Sequence, residues 1–230
     1  MKTIGLLGGM SWESTASYYR AINTGIKEQL GGLHSAKIAL FSVDFAEIEA
    51  LQHQGDWHGA GVILESAAQA VEAAGADFFL IGTNTMHKVA QQIDAAVSIP
   101  LLHIADATAE QLKKDGIETV GLLGTCFTMA QDFYKGRLRD NHGIQVIIPT
   151  ESAQSVVHNI IYDELCQGII KDNSREQYLQ IIDELSARGA QAVILGCTEI
   201  GLLVGQQDTP VQLYDTTAIH AAAAVRLALA

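Results

Sequence analysis

Gly75-Ala76-Asp77-Phe78-Phe79-Leu80-Ile81-Gly82-Thr83-Asn84-Thr85 and Gly189-Ala190-Gln191-Ala192-Val193-Ile194-Leu195-Gly196-Cys197-Thr198-Glu199 are one phrase written twice. Each begins at a Gly suited to ending a helix, continues through a short apolar run, and stops at a second Gly followed by a small polar side chain. The alignment has no gap: Gly75 meets Gly189, Gly82 meets Gly196, and Thr83 meets Cys197. A short apolar run between glycines reads as a buried strand. Two copies of one half would set Thr83 and Cys197 facing each other across a pseudo-twofold axis, the geometry that a two-sided proton transfer needs. One side carries a thiol and the other a hydroxyl.

Working outward, apolar strand-length runs alternate with helical patterns. Strands are expected at 3–7, 37–43, 77–81 and 101–103, and helices at 14–29, 61–74 and 85–97, with Ser11 or Ser14 as the first N-cap. The series then restarts. Residues 119–125 resemble 3–9, a strand is expected at 146–148, a helix at 175–188, a strand at 192–195, and 210–215 echo 100–106. Strands separated by helices imply βαβ units and parallel sheets covered on both faces. The expected fold is therefore α/β, with two pseudo-symmetric parallel-sheet lobes made by internal duplication. Residues 1–110 form the first lobe and 111–217 the second, with the boundary between Asp106 and Glu118. The apolar face of the helix at 218–230 is expected to return to the first lobe.

Composition narrows the function. The 230 residues carry a net charge of −12, which argues against nucleic acid or an anionic membrane as a partner. An anionic small molecule remains compatible, because backbone amides and hydroxyls can bind one. The three cysteines, Cys126, Cys166 and Cys197, are odd in number, widely spaced and without a C-x-x-C pair. They read as reduced thiols in the cytoplasm. No basic segment followed by an apolar stretch opens the chain, and no apolar run reaches membrane length.

Ligands of open parallel sheets sit at the carboxyl ends of strands. Gly8-Gly9-Met10, Gly82-Thr83-Asn84-Thr85, Gly124-Thr125 and Gly196-Cys197-Thr198 all fall there, and two facing lobes would bring them to one cleft. Cys197 follows a buried strand and precedes a helix start, where amides and the helix dipole lower a thiol pKa. Thr83 can cap a helix, donate a proton, relay one through water or hold substrate. Asn84, Thr85, Thr125, Thr128 and Thr198 offer amides and hydroxyls for a carboxylate, and Glu199 extends that polar cluster. Cys126 reads as packing, and His53, His58, His87, His103 and His220 as structural. No metal-ligand spacing, P-loop, dinucleotide fingerprint or pyridoxal-phosphate pattern occurs.

These residues resemble the aspartate/glutamate racemase family over nearly the whole chain. The resemblance rests on Gly5-Leu6-Leu7-Gly8-Gly9-Met10, Gly82-Thr83-Asn84-Thr85, Gly121-Leu122-Leu123-Gly124-Thr125, Ile161-Tyr162-Asp163-Glu164-Leu165 and Leu195-Gly196-Cys197-Thr198-Glu199. It implies a homodimer that racemises an amino acid without cofactor or metal, using two cysteines on opposite faces of Cα. Cys197 matches the second-lobe cysteine, and Thr83 replaces the first. By that assignment Cys197 takes the Cα proton of an L-amino acid and Thr83 serves the other face, with a kinetic preference for L-substrates.

Acid-specific relatives place an Arg near the end of the second strand and a Lys near the Tyr162 helix. Neither is matched here. The first region runs from Ser42 to Gln52 without a basic residue, and the second offers Glu164, Cys166 and Gln167. Gln52 could hydrogen-bond a polar side chain and Glu164 could face an ammonium, so aspartate, glutamate and a neutral polar amino acid such as homoserine are all candidates. Two rivals stand beside the racemase: a single-cysteine lyase of the arylmalonate decarboxylase kind or a related isomerase, and a non-catalytic small-molecule binder.

Overall fold

The computed structural model describes residues 1–230. The chain forms two compact units, one of Met1–Ile104 with His220–Ala230 and a second of Ala105–Ile219. Each holds its own parallel sheet.

In the first unit, β1 (Ile4–Gly8) lies between β2 (Ile38–Ser42) and β3 (Phe78–Ile81), in the order β2-β1-β3. Leu101 adds a single parallel bridge to Phe79 on the outer side of β3, in place of the full strand expected at 101–103. In the second unit, β4 (Thr119–Leu123) lies between β5 (Gln145–Ile147) and β6 (Ala192–Leu195), and β7 (Gln212–Asp215) follows β6. The order β5-β4-β6-β7 repeats that of the first unit, with Leu101 standing where β7 stands. Strands β1, β3 and β6 are buried along their whole length, the pattern of a parallel sheet covered on both faces.

The repeat reaches into the packing. A Cβ on Gly5 would lie 3.0 Å from Val71 and 3.0 Å from Phe79. A Cβ on Gly121, its counterpart, would lie 2.9 Å from Leu185 and 3.0 Å from Val193. In both units a helix therefore sits directly on the central strand, and only a glycine lets it approach. These helices are Trp57–Ala73 and Asp172–Ala187. The first begins four residues earlier than expected because Asp56 accepts from the Gly59 N–H and caps it.

Several further helices lie outside the sequence expectation, Asp132–His142 among them. Phe45–Gln54 is capped by Asp44 and ends at Gly55, whose left-handed φ of 76° suits a helix C-cap. Ile104–Lys114 occupies the expected boundary and belongs almost wholly to the second unit. Arg137 grips its Asp106 with two bonds of 2.7 Å, and the Tyr214 hydroxyl donates to Asp115 at 2.8 Å. Those second-unit partners move the division to Ala105. The helix Thr216–Leu229 crosses back: Ala221, Ala224, Val225 and Ala228 pack with Ile4, Leu6, Tyr18 and Ile22 in the first unit's core. No helix is long and apolar enough to cross a membrane.

Candidate active site

The first unit presents two strand ends. At β1, Gly9 has φ +93°, and a Cβ there would collide with the Val43 carbonyl oxygen. The Gly9 N–H donates to Thr15 Oγ1 at 2.8 Å, and Thr15 Oγ1 donates to the Ser11 carbonyl at 2.9 Å. Ser11, not Ser14, caps the helix Trp12–Leu30. Ser14 instead donates to the Gly82 carbonyl at 3.3 Å, tying this loop to the end of β3.

At β3, Thr83 is half-buried while Asn84 and Thr85 are buried. In place of the one continuous helix expected over 85–97, the chain forms a 3-10 turn, Thr85–Val89, followed by a short α-helix, Ala90–Asp94. His87 is a residue of that 3-10 turn. Its Nδ1 is 2.8 Å from the Thr83 carbonyl oxygen, and its Nε2 is 3.3 Å from the Ile104 amide nitrogen. A carbonyl only accepts and an amide N–H only donates, so the ring is neutral with its proton on Nδ1. The same logic puts the His220 proton on Nε2, which donates to the Leu102 carbonyl at 2.8 Å while Nδ1 accepts from Tyr18 at 2.9 Å. Burial drives the His220 pKa down to about 4. His87, His103 and His220 form a cluster: ring centroids are 4.4 Å apart for His87–His103 and 6.2 Å for His87–His220.

In the second unit the ends of β4 and β6 touch. The Gly196 N–H donates to the Leu123 carbonyl at 2.6 Å, and a Cβ on Gly124 would lie 2.9 Å from the Gly196 carbonyl oxygen. Thr125 caps Cys126–Ala130 by accepting from the Thr128 N–H, and its hydroxyl is 3.2 Å from the Thr128 hydroxyl. The Cys126 N–H donates to His158 Nδ1 at 3.3 Å. Cys197 is 9% exposed, and its thiol donates to Glu199 Oε2 at 2.9 Å. Thr198 Oγ1 donates to the same oxygen at 2.7 Å.

The thiol pKa departs from expectation. Burial raises it well above the ordinary value, and the Glu199 charge, Cys166 and the hydrogen bond to Glu199 raise it further. The helix that follows, Ile200–Leu203, is only 4 residues long and cannot offset a buried carboxylate neighbour. Cys197 rests as a thiol with a base already bonded to it.

Three of the expected substrate contacts also have partners within the chain. Met10 belongs to the first unit's apolar core with Ile81 and Met86. Gln52 is 3% exposed and directs Nε2 to Met86 Sδ at 3.1 Å. Ser174 donates to Glu164 at 2.6 Å and Lys171 at 3.1 Å, and both hold its pKa down. Sequence reasoning missed Asp215, a half-buried carboxyl whose pKa is raised by partial burial and which accepts from the Thr217 and Ala218 amides. Its place at the end of β7 was the available signal. No group of three or more His, Cys, Asp or Glu side chains converges as for a metal ion.

Residues 7–224 match the Asp/Glu/Hydantoin racemase family. A Yersinia pestis protein of known crystal structure, assigned to the Asp/Glu racemases, is 58% identical, with 100% of both chains covered and a TM-score of 0.93. An aspartate racemase homologue from Pyrococcus horikoshii OT3 is 34% identical, again with 100% of both chains covered, at a TM-score of 0.86. The broad specificity amino-acid racemase RacX of Bacillus subtilis is 27% identical over 173 residues, 73% of this chain and 71% of that protein. The family match takes in both strand ends, Thr83 and Cys197 included, and the chain belongs to the Asp/Glu/hydantoin racemase family.

Proposed function

We propose that the protein inverts the Cα centre of a small polar amino acid, with Cys197 taking the proton of the L-enantiomer and Thr83 serving the opposite face. The observation that carries this is the 2.9 Å hydrogen bond from the Cys197 thiol to the Glu199 carboxylate. A thiol with a raised pKa is a poor base until its proton leaves, and Glu199 is the acceptor already in place. The thiol proton passes to Glu199, and the thiolate removes the Cα hydrogen and becomes a thiol again. The carbanion then takes a proton from the Thr83 hydroxyl, directly or through a water molecule. Solvent returns one proton to Thr83 and removes one from Glu199, so charge and atoms balance. The hydroxyls and amides around Asn84, Thr85, Thr125, Thr128 and Thr198 would hold the substrate carboxylate and stabilise the charge that develops beside it.

Aspartate, glutamate and homoserine are the substrates to try first. The names of the relatives support an amino acid, and the lack of a basic residue from Ser42 to Gln52 keeps a neutral side chain in contention. Racemisation has an equilibrium constant of about one, so kcat/KM is equal in both directions and any asymmetry lies in exchange, or in kcat and KM together. In heavy water the L-enantiomer should lose its Cα hydrogen faster than it inverts, because the Cys197 thiol exchanges with solvent between abstraction and return. The D-enantiomer should exchange no faster than it inverts. Mass spectrometry of both enantiomers measures this, and equal exchange from the two sinks the assignment.

A further inference from the structure

We propose that His87 is a positioning residue for the reprotonating face: its ring holds the Thr83–Asn84 peptide plane and so aims the Thr83 side chain and the Asn84 N–H. Its importance rests on the Thr83 role proposed above.

The local backbone explains why a ring is needed. In an α-helix the His87 main-chain N–H would bond the Thr83 carbonyl, four residues back. Here that N–H turns to the Asn84 carbonyl at 3.1 Å, in the tighter 3-10 pattern. The Thr83 carbonyl would lose its helical partner, and the Nδ1–H of the same residue takes the place at 2.8 Å. Because the peptide is planar and trans, fixing the Thr83 C=O fixes the Asn84 N–H in the opposite direction.

The ring cannot easily turn away. It is 4% exposed, its Nε2 accepts from Ile104 at 3.3 Å, and it lies against His103 at 4.4 Å between centroids. His220 stands 6.2 Å off and is itself held by Tyr18 and the Leu102 carbonyl. A carbonyl oxygen cannot hand a proton on to the Thr83 hydroxyl, so His87 works by geometry and not as an acid.

The second unit sharpens the point. In the gapless alignment the counterpart of His87 is Gly201, and there the Cys197 carbonyl accepts from the Ile200 main-chain N–H at 3.1 Å. The thiol side needs no ring because the backbone closes its own turn.

Two near-isosteric variants separate the two bonds. Asn at position 87 places an amide N–H near the old Nδ1 and can restore the bond to Thr83. Gln reaches only toward the old Nε2. With L-homoserine, L-aspartate and L-glutamate as probes, Cα exchange in heavy water is measured beside inversion by circular dichroism, for the parent, Thr83→Ala, His87→Asn and His87→Gln. Misplacement of a reacting group by about 1 Å can cost ~100-fold, so His87→Gln should raise the exchange-to-inversion ratio at least about tenfold, as Thr83→Ala does. His87→Asn should stay within about threefold of the parent.

If both His87 variants lose exchange and inversion together, in step with their melting temperatures, the ring is merely structural and the inference fails. If Thr83→Ala leaves inversion unchanged, or the parent inverts none of the probes, the Thr83 role fails instead and the inference falls with it. Should the variants not fold, nitrogen-15 spectra of the parent decide. A His87 signal of the neutral Nδ1–H form across the neutral range supports the clamp, and a signal of the Nε2–H form overturns it.

Discussion

The ends of β3 and β6 are the same backbone with the chemistry distributed differently. Both strands are buried, both end in a Gly that packs against the neighbouring strand's carbonyl, and both run into a helix too short to be stable alone. At β6 the restrained group is a side chain, since the Cys197 thiol is bonded to Glu199. At β3 the restrained group is the main chain, since His87 holds the Thr83 carbonyl and the structure records no bond from the Thr83 hydroxyl to a charged group. A duplicated scaffold can thus keep its geometry while one half restrains a side chain and the other the main chain.

The largest effect should come from breaking the charged half. Glu199→Gln removes the proton acceptor, and general acid–base partners of this kind contribute about 100-fold or more to turnover. The same change removes a negative charge that raises the Cys197 pKa. The sign follows: without that charge the thiolate becomes easier to form, so the midpoint of iodoacetamide alkylation should move to lower pH although turnover falls. A midpoint that stays put, or rises, would disconnect Glu199 from the thiol.

Making the halves alike is the next test. Thr83→Cys puts a thiol on both sides, and the exchange rates of the two enantiomers should converge, with a change of about tenfold in their ratio. A ratio as lopsided as the parent's would mean that the asymmetry has another source.

The smallest effect should follow from a surface change. The family resemblance implies a homodimer, and Trp12, Tyr19 and Leu40 line an exposed apolar hollow beside the edge strand β2. Leu40→Lys should shift the sedimentation coefficient toward the monomer while leaving the L-to-D exchange ratio within about twofold, because surface changes away from the site are nearly neutral. A collapsed ratio would tie the difference between the two strand ends to the partner copy.

Much of this was legible in the sequence because it rests on periodicity and on glycine. The apolar runs ending at Gly8, Gly82, Gly124 and Gly196 marked the strands and the order in which they repeat. The helix Phe45–Gln54 was not legible: Ile48 and Gln52 are its only fully buried residues, so its apolar signal is thin. Thr83 and Cys197 could be singled out because alignment compares neighbours along the chain. The pull of Glu199 on the thiol could not, since a helix start predicts a lowered pKa and only the 2.9 Å contact shows a carboxylate beside the sulfur. The histidines escaped for a similar reason. His87 and His220 are brought together by the fold across a long stretch of sequence, and no local pattern encodes that.

The helix Thr216–Leu229 has a consequence for how the protein is made. Its early residues belong to the second unit, where Thr216 donates to the Leu195 carbonyl, and its later ones fill the first unit's core. Ile4, Leu6 and Tyr18 are thus synthesised long before the alanines and Val225 that cover them. At about 5–20 residues per second of synthesis, the interval between Ile104 and the end of that helix is on the order of ten seconds. During that time an apolar face of the first unit waits for its cover, while residues 105–219 already contain a complete core of their own. The half of the chain that is made first is the half that is finished last.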